Sequence, residues 1–270
     1  MKTFERLIVL FLTVLSMQGC ELIDYHPYDA RFDGARDINT RNIAHIETAM
    51  AGRDSLRFAV ISDTQRWYDE THAAVNSINA RGDIDFVIHC GDLTDFSATE
   101  EFEWMRRELE RFVPPYVCLI GNHDCLANGP NVFRAMFGPT DFSFTAGDTH
   151  FVCLDTNALE HDYSVPIPNF SFLKADAASV SADVRRTVVA MHAAPFTDQF
   201  NNNVADIFNS YTQAYPGLQF ALCGHQHATT VFTPFEGGIN YYECGAAKGR
   251  QYLVFTLTRE GGVRYEVVDY

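Results

Sequence analysis

Phe86-Val87-Ile88-His89-Cys90-Gly91-Asp92-Leu93-Thr94-Asp95 is a short apolar run that stops at a Gly-Asp pair, with a second carboxylate three residues on. Buried parallel strands read as such runs, and open α/β sheets place their ligands beyond the carboxyl ends of the strands. Taken alone, Gly91-Asp92 reads as a turn with a helix cap. The reading changes because the same grammar recurs at four more places in the chain.

Residues 56–61, apolar except for Arg57, run into Ser62-Asp63-Thr64-Gln65, and residues 116–120 run into Gly121-Asn122-His123-Asp124. Residues 187–191 end at His192, and residues 218–223 lead into Gly224-His225-Gln226-His227. Helical patterns near 71–80, stopped by Gly82, and near 98–112, stopped by Pro114-Pro115, separate the first three runs. Strands and helices alternating at this interval predict βαβ units on a parallel sheet. Residues 141–146 and 150–155 read as a hairpin around Gly147-Asp148, followed by a loop over 156–169 and a β-rich tail over 231–270. The expectation is an α/β fold with two packed mixed β-sheets flanked by helices.

The first nineteen residues stand apart. Lys2 and Arg6 precede an apolar stretch over 7–17, and Gly19-Cys20 follows. This is the layout of a signal peptide, with an apolar run too short to span a bilayer as a helix. Gly19-Cys20 resembles a bacterial lipoprotein cleavage site, which implies a lipidated Cys20, membrane attachment through it, and an exported protein of the cell envelope. Residues 20–50 then read as a tether with a short helix over 41–50 capped by Asn39 or Thr40, and 51–270 as the domain. Removing residues 1–19 leaves 34 acidic against 18 basic side chains, a formal charge of −16 where the whole chain has −15. So acidic a chain argues against a phosphate-neutralising nucleic-acid surface. It leaves room for a small phosphorylated substrate, because bound cations dominate a local field. Six cysteines follow Cys20 without a CxxC pair, which speaks for buried thiols over a structural zinc site.

Five strand ends thus present residue types that hold metals: Asp63 and Gln65; Asp92; Asn122; His192; His225 and His227. A single histidine after a strand is more often a satisfied core or surface residue, so the weight lies in the joint occurrence. Oxygen and nitrogen donors without cysteine suit hard or borderline divalent cations. Two such cations held by a bridging carboxylate, for which Asp92 is the natural candidate, can hold a hydroxide and clamp phosphoryl oxygens for in-line attack.

Asp63-x-Gln65, Gly91-Asp92-x-x-Asp95, Gly121-Asn122-His123-Asp124, His192 and Gly224-His225-x-His227 resemble, in that order, the motifs of the calcineurin-like metallophosphoesterases. The resemblance covers about residues 56–230. It implies one metal site from Asp63, Gln65, Asp92 and His227, and a second from Asp92, Asn122, His192 and His225. It also implies that His123 assists the leaving oxygen and that Asp95 orients His123. The family usually has histidine where Gln65 stands. An amide oxygen is a harder, weaker donor, so Mn²⁺ or Mg²⁺ is favoured, with Fe or Zn²⁺ also admitted. Arg66, Trp67 and Tyr68 read equally as substrate contacts or surface cover. The loop around His161 and Asn201-Asn202-Asn203 reads as solvated rim. The rival function is a catalytically silent surface lipoprotein that keeps the fold for binding, against which the intact His123–Asp95 pair speaks.

Overall fold

Alternation along the strands sets the layers of this computed structural model, which describes residues 30–270. The stretch that resembles a lipoprotein signal, with Cys20, lies outside the described residues. Strand β1 (Leu56–Ile61) turns Phe58 and Val60 to one face and Ala59 and Ile61 to the other. Strand β2 (Phe86–His89) does the same with Phe86 and Ile88 against Val87. Period-2 side chains that are apolar on both faces need cover on both faces. Here one face meets a second sheet and the other meets helices.

The first sheet has the order β11-β10-β1-β2-β3, where β3 is Tyr116–Cys118, β10 is Gln251–Leu257 and β11 is Val263–Asp269. β1, β2 and β3 are parallel neighbours, and β10 joins β1 antiparallel. The second sheet has the order β4-β5-β6-β7-β9-β8. It comprises β4 (Phe142–Ala146), β5 (Thr149–Leu154), β6 (Arg186–Met191), β7 (Leu218–Cys223), β8 (Thr230–Phe232) and β9 (Asn240–Glu243). Between the sheets Phe58 stacks on its register partners Phe86 and Phe255, with ring centroids 5.2 and 5.4 Å away. Phe151 of the opposite sheet meets Phe58 edge-on at 5.3 Å. Such pairs add about 0.5–1.5 kcal/mol each beyond area burial.

Helix α1 (Ile38–Met50) closes the edge between the sheets beside β3 and β4. Helices α2 (Tyr68–Arg81), α3 (Thr99–Leu109) and α4 (Gly129–Met136) lie on the first sheet's outer face, and α5 (Phe170–Ser179) and α6 (Ala205–Thr212) cover the second. Two local expectations change. Helix α1 begins at Ile38, and Asn39 is no cap. Its buried amide donates to the Cys118 carbonyl at 2.8 Å and its oxygen accepts from the Cys118 amide at 2.9 Å. Pairing with the edge of β3 takes the side chain that a local cap would have used. With Ile46 and Met50 buried as well, α1 is packed into the domain that begins at β1. Helix α4 had no counterpart in the sequence reading, although Val132, Phe133 and Met136 mark a buried face that Phe137 extends just past its end.

All six described cysteines are free, buried thiols. Burial raises the pKa of each of them. No helix among the described residues is long and apolar enough to cross a membrane.

Candidate metal centre

The carboxyl ends of β1, β2 and β3 carry Asp63 and Gln65, Asp92, and Asn122; those of β6 and β7 carry His192, and His225 with His227. The loops are tied to one another by main-chain bonds. Asp63 N donates to Gly91 O at 3.0 Å, Thr64 N and Gln65 N to Asp92 O at 3.0 and 3.1 Å, and Gly224 N to His192 O at 3.0 Å. Two glycines are required by this proximity. A Cβ on Gly121 would stand 2.1 Å from Asp92 N, and one on Gly224 would stand 2.0 Å from Ser62 Oγ and 2.7 Å from Asp63 Oδ2. Asp63, Asp92, His225 and His227 all have positive φ, at 52°, 59°, 81° and 58°. A left-handed backbone costs each of them of order 1 kcal/mol, and such strain concentrates at functional sites.

All seven candidate ligands are brought together. Ligand atoms of Asp63, Asp92 and His192 lie within 4.8 Å of one another, and all three residues are buried. His192 Nε2 is 3.0 Å from Asn122 Oδ1 and 3.4 Å from Asp92 Oδ1. His225 Nδ1 is 3.0 Å from the same Asn122 oxygen. On the other side, His227 Nε2 is 3.2 Å from Asp63 Oδ1, and Gln65 Nε2 is 3.3 Å from Asp92 Oδ2. The two oxygens of Asp92 therefore face different partners.

The tautomers decide what this pocket lacks. His192 Nδ1 donates to the Cys90 carbonyl at 2.8 Å, so in the neutral ring the Nε2 lone pair faces Asn122 Oδ1 and Asp92 Oδ1. His225 Nε2 donates to Asp198 Oδ1 at 2.7 Å, which turns its Nδ1 lone pair toward Asn122 Oδ1. With both rings neutral, as metal ligands must be, lone pairs converge on one another. Gln65 Oε1 is a buried acceptor without a hydrogen bond, and Asp63 Oδ1, likewise buried, has His227 Nε2 at 3.2 Å but no hydrogen bond in line with it. Burial alone would lower the pKa of His192, but the nearby Asp92 and Asp63 carboxylates raise it to about 10. Burial would raise Asp92, and the imidazoles of His192 and His123 hold it below the ordinary carboxylate value. The pocket draws in positive charge. Donors about 3.0–3.4 Å apart are also the spacing of ligands around a cation bonded at about 2.0–2.1 Å. The residues fit a divalent metal centre.

His123 stands beside it, with its backbone N donating to Asp92 Oδ1 at 2.9 Å. Its ring is held differently from the sequence expectation. Nδ1 donates to the backbone carbonyl of Asp95 at 2.9 Å, and the Asp95 carboxylate is 3.8 Å away, paired with Arg66. Asp95 orients the ring through its main chain, because the tight loop after Asp92 turns its carbonyl inward and leaves the carboxylate to the guanidinium. Trp67 lies under Lys248, with the ammonium 5.3 Å from the ring centroid, and Tyr68 meets Trp104 edge-on. Asn202 accepts from Phe196 N at 2.7 Å, bracing the loop after His192.

Four supporting residues were missed. Asp124 is fully buried and accepts from Leu93 N, Thr94 N, Thr94 Oγ1 and Gly121 N at 3.1, 2.9, 2.8 and 3.0 Å, which ties two motif loops together. Burial and the charge of Asp92 push its pKa up to about 7. His89 bonds Thr64 Oγ1 through Nε2 at 2.8 Å, and burial lowers it to about 4, so it stays neutral. Glu243 accepts from Gln226 N at 2.9 Å between the two histidines of the last motif. Asp198 holds His225 as carboxylates hold metal-binding histidines generally. Asp124 lies in the Gly-Asn-His-Asp motif and His89 ends the β2 run, whereas nothing local marks Glu243 or Asp198.

The comparisons agree with this architecture. The solved structure of a dimetal phosphatase from Danio rerio is similar with a TM-score of 0.55 and 14% identity, over 80% of this chain and 99% of that one. The purple acid phosphatase PPD1 from yellow lupin gives 0.57 and 13%, over 80% of this chain and 54% of its own. GAP50, described as the anchor in the inner membrane complex of Plasmodium, gives 0.57 and 12%, over 80% and 84%. At such identities the likeness is one of fold. No curated protein matches the sequence. The family profile of the calcineurin-like phosphoesterases matches residues 56–229, well over half of the chain. With the strand-end motifs in family order on a two-sheet fold, this chain belongs to the calcineurin-like phosphoesterases, metal-dependent hydrolases of phosphoric esters.

Proposed function

We propose that the protein hydrolyses a P–O bond of a small phosphorylated substrate at a two-cation centre. One cation is held by Asp63, Gln65, Asp92 and His227, the other by Asp92, Asn122, His192 and His225. The observation that carries this reading is the convergence of lone pairs on Asn122 Oδ1 and Asp92, beside the buried Asp63 Oδ1 and the unsatisfied Gln65 Oε1. Divalent cations bound there supply Lewis acidity, acidifying water and neutralising phosphoryl charge. The amide at position 65 favours Mn²⁺ or Mg²⁺, and Fe or Zn²⁺ also suit the set.

The chain's own contribution lies in His123. With Nδ1 fixed on the Asp95 carbonyl, Nε2 is the ring atom left to pass a proton to the leaving oxygen. His123 is partly exposed at the rim, where a leaving group departs toward solvent. Monoesters, diesters and pyrophosphates all suit this arrangement. The signal-like N-terminus and Cys20 support an exported, lipid-anchored protein of the cell envelope, which mass spectrometry of Cys20 from membrane fractions tests directly.

The decisive measurement combines metal analysis with hydrolysis of mono-, di- and pyrophosphate esters under Mn²⁺, Mg²⁺ and Zn²⁺. Metal-dependent turnover on one class is expected. Absence of turnover on every class sinks the enzymatic reading and leaves a binding module.

A further inference from the structure

Behind the turn that carries Asn122 and His123, a second set of donors meets, and its chemistry differs from that of the first. Cys125 ends the 3₁₀ turn His123–Cys125, Asp155 directly follows β5, and His161 ends the turn Ala158–His161. Cys125 Sγ, an Asp155 carboxylate oxygen and a ring nitrogen of His161 all lie within 4.8 Å of one another. None of the three serves the centre around Asp92. We propose that Cys125, Asp155 and His161 bind one borderline transition-metal cation, of the zinc or cobalt class, at a site separate from the catalytic centre.

The donor set is the first support. One sulfur, one nitrogen and one oxygen from three segments leave a fourth tetrahedral position open, as in zinc sites with three protein ligands. A thiolate selects Zn²⁺ or Co²⁺ over the Mg²⁺ and Mn²⁺ that the oxygen-rich centre favours. Charge is the second. Asp155 is buried, and among the described residues no Lys or Arg forms an ion pair with it. Burial raises its pKa even though Asn157 donates to Oδ1 through both its backbone N and its Nδ2, at 3.0 and 2.9 Å. A cation between it and the sulfur would compensate that buried charge.

Two of the ligands are already fixed. Asp155 N is anchored on Asp141 Oδ1 at 2.9 Å, and the Cys125 thiol rests on the Gly121 carbonyl at 3.3 Å. His161, half-buried in the loop after β5, is the member nearest solvent and marks the route in. Ligand atoms around a tetrahedral zinc are about 3.3–3.8 Å apart, so closure asks for a movement of about 1 Å. On binding, the thiol releases its proton to solvent as the sulfur–metal bond forms, so affinity rises with pH.

Cobalt titration of the purified protein in excess Mg²⁺ tests the proposal. A thiolate-to-cobalt charge-transfer band in the near ultraviolet is expected, with a final amplitude of one thiolate–cobalt bond per chain, since the centre around Asp92 contains no sulfur. Cys125→Ser should abolish the band and lower cobalt stoichiometry by one. His161→Ala, on a surface loop, should fold normally and weaken the band-forming titration by at least about tenfold. Absence of the band, its persistence in Cys125→Ser, or an unshifted titration in His161→Ala overturns the assignment.

Discussion

Nδ1 of His123 donates to the backbone carbonyl of Asp95 at 2.9 Å, while the carboxylate of Asp95 stands 3.8 Å from the same nitrogen and is engaged by Arg66. The main chain therefore sets the ring's tautomer and direction. Asp95→Asn should lower kcat by less than about tenfold, whereas His123→Ala should lower it by about 10²–10⁴-fold and keep both cations. Parallel kcat and metal-content measurements check this. Equal losses in the two variants would return the orienting role to the carboxylate, and loss of a cation in His123→Ala would make the ring a ligand.

The two halves of the proposed centre differ in their donors. Gln65 offers an amide oxygen where an imidazole would bind more strongly, and His225 leans on Asp198 at 2.7 Å. Gln65→His should raise the affinity of its half for Zn²⁺, and Asp198→Ala should weaken the other half by about ten- to a hundredfold. Isothermal titration of each variant separates the effects. Unchanged affinity in Gln65→His would show that position 65 does not ligate.

Asp124 answers four donors from two motif loops. Asparagine keeps one acceptor oxygen and turns an NH₂ toward backbone N–H groups. Asp124→Asn should cost about 1–3 kcal/mol in urea unfolding. A cost under about 0.5 kcal/mol, the usual size for an uninvolved position, would remove Asp124 from this role.

Asp141 gives a pH signature away from the centre. Burial pushes its pKa from the ordinary 3.8 up to about 6, although it accepts from Asp155 N and Asn169 Nδ2. Between those two values the folded chain holds a proton that the unfolded chain has released. Its contribution to stability is complete below about pH 4 and is lost as pH rises through 6. The Tm of the wild-type protein relative to Asp141→Asn should therefore fall over that interval. A constant difference would contradict the assignment.

Much of the fold was legible because its signals are local. The apolar runs over 56–61 and 218–223 coincide with β1 and β7, because cover on both faces makes nearly every position apolar, Arg57 and Gln219 being the exceptions near each start. Helix boundaries were read less closely. Asn39 looked like a cap and became a clip on β3, since its partner is 79 residues away. The tail read as β-rich, but not that β10 would pair with β1 while β9 joined β7. Such pairings depend on which sheet edge is open after the earlier strands have docked.

The sequence by itself determined the chemistry at each strand end, because ligand type and the neighbouring glycine are properties of a few adjacent residues. It also determined which runs would be buried, since a periodic apolar pattern has few ways to leave water. Only the tertiary structure decided that Asp95 serves His123 with its carbonyl, that Asp198 backs His225, and that Cys125, Asp155 and His161 meet. Each of these rests on the aim of a side chain across loops distant in sequence, and that aim is set by how two sheets and their connections pack.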